Sequence, residues 1–138
     1  MLVRQTNTLI IGASISGLAS AACLQKQKID YIIIEKQARV AAPWSNHYDR
    51  LHLHTCKRLS HLPYKKFGRS ITRYPSRQQV IDYLEDYQKE FIINPVFNTE
   101  AISVKRVEDY WISPTGQIRE IAADARKIAR DIARQEKF

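Results

Sequence analysis

TLIIGASISGLASAACLQKQKIDYIIIE, residues 8–35, decides the fold. Thr8 to Ile11 is a short apolar run that reads as a buried strand. Gly12 to Gly17 is a glycine-bounded turn, Leu18 to Lys28 an Ala-rich segment that favours helix, and Tyr31 to Ile34 a second β-branched strand. Strand, turn, helix and strand within roughly 30 residues make up a βαβ dinucleotide-binding unit. Each part has a physical task. Gly12 allows the tight turn, and Gly17 lets the helix pack closely on the strand. The amides at the helix start hold a pyrophosphate. Glu35, about 20 residues on at the end of the second strand, is placed to accept hydrogen bonds from a ribose.

Two positions depart from the pattern. The middle glycine, which lets backbone approach the phosphates, is replaced by Ser14. Serine is the mildest replacement, since its side chain is small and its hydroxyl can donate to a phosphate oxygen. Binding is expected to weaken rather than vanish. Lys28 stands where a helix terminus favours glycine, at a cost on the order of 1 kcal/mol.

A chain of 138 residues is large enough for one core and small for a cofactor enzyme. Cys23 and Cys56 give no disulfide framework, and Cys23, inside the Ala-rich helix, reads as a small core residue. A cytoplasmic location is the expectation. Met1 to Arg4 followed by Leu9 to Leu24 mimics a signal peptide, but Gly12 and Gly17 interrupt the apolar run. No apolar span is long enough to cross a bilayer, so no membrane partner is expected. The formal charge is +8, and residues 47–80 carry +7 of it, with Asp49 their lone acid. Such a patch fits an anionic surface, a nucleic acid or the wall of a phosphate-bearing site. Aromatic interleaving is sparse and no nucleic-acid motif occurs, so a nucleic-acid partner is not expected.

Beyond the first unit, Pro43, Pro63 and Gly68 punctuate a stretch without clean periodicity. Leu51 to Thr55 alternates, which places Leu51, Leu53 and Thr55 on one face of an extended piece and His52 and His54 on the other. His52, His54 and Cys56 then share a side, with His47 or His61 in reach as a further zinc ligand, but no recurrent zinc spacing occurs and no metal is expected. Ser76 is a plausible N-cap for a helix from Arg77 to Glu90 with an apolar stripe of Val80, Ile81, Leu84, Tyr87 and Phe91. Phe91 to Ile93, Val96–Phe97, Ala101 to Val104 and Asp109 to Ile112 read as short strand pieces. Ile118, Ile121, Ala125, Ile128 and Ile132 form a heptad-like seam on a last amphipathic helix. That helix either docks on its own domain or serves self-association or partner contact through residues 118–132.

Taken together, Gly12 to Ala19, Ile34 to Lys36, Trp44, Tyr48 to His54, Tyr74–Pro75 and Tyr83–Leu84 resemble the N-terminal part of the flavin-containing monooxygenases. The branch most similar is that of the YUCCA-like indole-3-pyruvate monooxygenases and their bacterial relatives. The resemblance runs from Thr8 to Ile112, and Tyr48 to His54 is its most specific string. It implies an α/β fold: a Rossmann-like FAD-binding βαβ domain over residues 1–113, incomplete relative to the family, with a C-terminal amphipathic helix over residues 114–138. It implies that Gly12, Ser14, Ser16 and Gly17 cradle the FAD pyrophosphate, with Glu35 and Lys36 at the adenosine ribose. Trp44, Leu51, His52 and His54 would line the flavin, and His54 falls at the catalytic position. In the family, NADPH reduces the flavin, and the reduced flavin activates oxygen to oxygenate a small amine, sulfide or carbonyl compound.

Family members are much longer and carry a second glycine motif for NADPH, which this sequence lacks. The expectation is an oxidoreductase-like, FAD-binding portion not competent alone. Two other readings stay open: a non-catalytic nucleotide-binding module, and an interaction module docking through its C-terminal helix. The first βαβ unit does not by itself separate FAD from NAD, and Lys36 and Arg39 tolerate the 2′-phosphate of NADP.

Overall fold

The computed structural model describes residues 4–104 and 118–135. The first unit is β1 (Leu9–Ile11), α1 (Ile15–Lys26) and β2 (Ile32–Ile34). The strands are parallel, with Leu9 opposite Ile32, Ile10 opposite Ile33 and Ile11 opposite Ile34. A crossover helix returning the chain to the same end permits only that pairing. Val96 extends the layer beyond β2 through a single parallel bridge to Ile34, and among the described residues no strand pairs with the outer edge of β1. Ile10 lies under α1, whereas Leu9 and Ile11 on the opposite face are 50% and 55% exposed.

Helix α1 is buried nearly all round, through Leu18, Ala19, Ala21, Ala22, Cys23 and Leu24. It packs against β1, against α3 (Arg77–Glu90) and most extensively against α4 (Ile118–Gln135). Small side chains on both helices, including Ala122, Ala125 and Ala129, let α1 and α4 approach closely. The terminal helix is therefore docked on its own domain, with Ile121 buried and Ile128 and Ile132 half-buried. Tyr64 fastens it, with the Arg126 guanidinium and the Lys26 ammonium over its ring at 5.6 and 5.5 Å from the centroid. Cys23 is a core residue as expected, and burial pushes its thiol pKa up. The strand expected over Asp109 to Ile112 and the domain boundary expected after residue 113 lie outside the described residues.

Helix α3 begins as its sequence predicts. Ser76 Oγ accepts from the Gln79 amide and Gln79 Oε1 accepts from the Ser76 amide, a reciprocal capping box. Its Tyr83 and Tyr87 hydroxyls donate to the Lys65 and Pro63 carbonyls at 2.7 and 2.8 Å, which pins the 62–65 segment to the helix. Burial drives both phenol pKa values upward, so both remain donors well into alkaline solution.

The helix ends hold the main surprise. Lys28 adopts φ 60°, the left-handed cap anticipated there, and the Lys28 and Ile29 amides donate back to Gln25 and Leu24 carbonyls. Phe91 to Ile93 repeats that motif instead of forming a strand. Ile92 adopts φ 50°, while the Ile92 and Ile93 amides donate to the Lys89 and Gln88 carbonyls. The strand expected over Ala101 to Val104 is likewise not formed. A β-branched residue in the left-handed region is strained. Ile92 is 74% exposed and has little packing to lose, so Ile92→Gly is expected to stabilise the fold by about 1 kcal/mol. Thermal unfolding checks this, with a midpoint rise of roughly 3–5 °C; an unchanged or lower midpoint would contradict the strain.

Candidate functional site

Gly12 closes β1 at φ 97°, and its amide donates to the Ile34 carbonyl at 2.8 Å. A Cβ there would meet nothing within 4 Å, so the glycine is required by conformation and the space beyond the turn is open. Gly17 is required by contact. A Cβ on it would lie 1.8 Å from the Gly12 carbonyl oxygen and 3.4 Å from Ile10 Cγ2. Ser14 is the N-cap of α1, with extended backbone at φ −109° that any residue adopts, and its hydroxyl makes no cap hydrogen bond. Geometry therefore leaves the first-turn amides of Ile15, Ser16 and Gly17 without intrahelical acceptors, at the positive end of a twelve-residue helix.

Glu35 is 6% exposed, and its carboxylate is already engaged. Oε2 accepts from the Ala13 amide at 2.7 Å and Oε1 from the Gln37 amide at 2.9 Å. The residue thus clamps the glycine turn to the end of β2. Each carboxylate oxygen retains one further acceptor position, enough for one hydroxyl each. Its neighbour Lys36 is exposed.

A second wall is tied to the same turn. Ala41 starts the one-turn helix α2 (Ala42–Ser45) from φ 57°, and its amide donates to the Ala13 carbonyl at 3.3 Å. Trp44, half-buried against the core, stands edge-on to His47 with ring centroids 5.6 Å apart. Arg77, the first residue of α3, reaches across. Its Nη1 donates to the Ser45 and His47 carbonyls at 3.0 and 2.7 Å, and its Nη2 pairs with Asp49 at 2.7 Å. The Arg77 amide donates to the Leu51 carbonyl and the Leu53 amide to that of Pro75. These bonds hold residues 51–53 extended beside the cap of α3, with a single antiparallel bridge between His52 and Ser76. The expected alternation is present: Leu51 is half-buried, Leu53 buried, and His52 and His54 exposed.

Gly12 and Gly17 are thus in direct contact, Glu35 is bonded to the next residue of the turn, Ala13, and Trp44 and Leu51 are tied to that turn through Ala41 and Arg77. His54 is not brought to the turn by any hydrogen bond among the described residues. Sequence reasoning missed Ala13, Ala41 and Arg77, for their contacts run through backbone groups that carry no residue signature.

The basic segment is partly internal scaffold. Lys57 Nζ donates to the carbonyls of Gly68, Arg69 and Ile71, and Lys65 pairs with Glu90 at 2.8 Å. Arg50, Arg58, Lys66, Arg69 and Arg73 remain exposed. No three His, Cys, Asp or Glu side chains among the described residues gather as a metal site requires. An open cleft of about 540 Å³ lined by Gln5, Thr6, Asn7, Lys28 and Asp30 lies at the amino ends of the strands. Ligands of parallel α/β sheets bind at the opposite, carboxyl ends, where the glycine turn sits. No described helix is long and apolar enough to cross a membrane.

Residues 10–83 match the family described as NAD(P)-binding Rossmann-like domain. The chain is 41% identical over 102 residues to probable indole-3-pyruvate monooxygenase YUCCA8 of Arabidopsis thaliana, covering 73% of this chain and 24% of the relative. It is 45% identical over 94 residues to indole-3-pyruvate monooxygenase YUCCA6 of the same plant, covering 67% and 22%. The chain spans about a quarter of the length of these curated relatives. Among solved structures, a flavin-containing monooxygenase from Stenotrophomonas maltophilia superposes with TM-score 0.63 at 24% identity, over 68% of this chain and 28% of that one. Bacillithiol disulfide reductase Bdr from Staphylococcus aureus gives 0.69 at 22% identity, over 77% and 32%. At such identities the superpositions show the fold.

Proposed function

Because the chain belongs to the NAD(P)-binding Rossmann-like domain family, on the flavin-monooxygenase side of it, we propose that it is the FAD-binding portion of a flavin-dependent, NADPH-using monooxygenase-like protein. The observation that carries this reading is the turn itself. Open space stands beyond Gly12, unsatisfied amides begin α1, and Glu35 keeps two acceptor positions beside them. The amides of Ile15, Ser16 and Gly17 take the pyrophosphate, with the Ser14 hydroxyl as an added donor. Glu35, fixed by Ala13 and Gln37, accepts the two ribose hydroxyls. Trp44 and residues 51–54 form the wall against the ring system, and His54 stands at its reactive end. When bound, the flavin supplies the redox chemistry, while these residues orient it and exclude water. An interaction role through α4 is weaker, because that helix already seats Ile121, Ala125 and Ala129 in its own core.

The test is a flavin titration of the purified protein followed by desalting. A retained absorbance band between about 350 and 500 nm is expected, and Ser14→Gly should tighten binding by roughly fivefold, about 1 kcal/mol. A protein left colourless, in both forms, would overturn the flavin reading.

A further inference from the structure

We propose that Arg77 is a positioning residue of this site, latching α2 so that Trp44 is preset as its wall. The inference rests on the reading of Trp44 as a flavin contact. Helix α2 has four residues and starts from a left-handed alanine, so it has no stability of its own. External ties must hold it. At its start the Ala41 amide is bonded to Ala13, and on its flank Arg39 donates to Ser45 Oγ. At its end the Arg77 guanidinium bridges the Ser45 and His47 carbonyls, which bracket the residues immediately after Trp44. The Ser45 carbonyl is an orphan acceptor of the helix end and that of His47 lies just beyond the cap, and the guanidinium answers both.

The planar fork matters. Nη1 serves two carbonyls while Nη2 pairs with Asp49, and the Arg77 backbone amide ties the next stretch at Leu51. One residue therefore sets the spacing between Trp44 and residues 51–54. A lysine has no rigid fork and reproduces that geometry only in part. The Asp49 carboxylate is 91% exposed, so the ion pair is the minor component and the two carbonyl bonds are the latch.

The experiment uses the full chain with Trp111→Phe as background, so that emission reports Trp44. Flavin affinity is measured for Arg77→Met, Trp44→Ala and their combination, together with acrylamide quenching of each Trp44-containing form. Arg77→Met should weaken flavin binding about tenfold, red-shift Trp44 emission and raise its quenching. Since Arg77 acts through Trp44, the double variant should bind no more weakly than Trp44→Ala alone. Arg77→Lys should fall between the parent and Arg77→Met, and it replaces Arg77→Met if that variant does not fold. Additive losses would overturn the latch. So would a lower unfolding midpoint with flavin affinity and Trp44 quenching unchanged. If the parent binds no flavin, the functional reading fails, and the quenching comparison alone decides whether Arg77 sets Trp44.

Discussion

Gly17→Ala is expected to leave the chain largely unfolded. The added methyl would stand 1.8 Å from the Gly12 carbonyl oxygen and 3.0 Å from its carbon. Both are backbone atoms, so no rotamer change relieves the clash. The helix must move away from the turn by more than an ångström, which parts α1 from Ile10 and opens the centre of the core. Destabilisation of more than about 4 kcal/mol is expected, the range reserved for severe steric and core defects. A domain holding on the order of 5–15 kcal/mol has little left after that. Far-UV circular dichroism during urea unfolding checks it, with Gly68→Ala as the control. A Cβ on Gly68 meets nothing closer than 3.9 Å, so that variant should unfold with the parent. Equal midpoints for both would show that the helix and turn are not in the close contact described.

Glu35→Gln is expected to be the second most damaging single change, although it alters shape hardly at all. Both groups facing the carboxylate are donors, the amides of Ala13 and Gln37. A carboxylate accepts at both oxygens, whereas a carboxamide accepts at one end and donates at the other. One amide must therefore confront an NH₂ group in a pocket that water barely reaches, since Glu35 is 6% exposed. Leaving a buried donor unsatisfied costs about 1–3 kcal/mol, and a lost charge-assisted bond adds to that. A total near 2–4 kcal/mol is the expectation, read from the urea midpoint. Under the proposed function flavin retention should fall in the same variant, because the amide end also removes an acceptor that Glu35 would offer to the ribose. A Glu35→Gln protein as stable as the parent would mean that the clamp contributes nothing to the turn.

What could be read in the sequence was local. The tight turn at Gly12, the close approach at Gly17, the left-handed cap at Lys28 and the Ser76 N-cap each depend on a few neighbouring residues, and each is present. Phe91 to Ile93 misled because β-branched residues favour strands, while here the burial of Ile93 folds the helix end back on itself. That packing overrides the preference of Ile92. The site divides along the same line. Gly12, Gly17 and Glu35 were legible as a motif, but the partners of Glu35 were not, because they depend on how the end of β2 curls. Arg77 left no signal at all. Its acceptors are main-chain carbonyls 30 and 32 positions earlier, and every residue has one.

The outer edge of β1 has a bearing on how copies of this protein behave toward one another. Parallel strands are ordinarily covered on both faces, yet Leu9 and Ile11 are half exposed beside a row of main-chain groups that no described strand pairs. Such an edge is a template for edge-to-edge growth. The opposing influence is the formal charge of +8, which makes like molecules repel. Repulsion of that kind reaches about 10 Å at 0.1 M salt and about 3 Å at 1 M. Added salt is thus expected to favour association through this three-residue edge, read as a rise in light scattering between about 0.1 M and 1 M salt; unchanged scattering would mean that the edge is not a growth site.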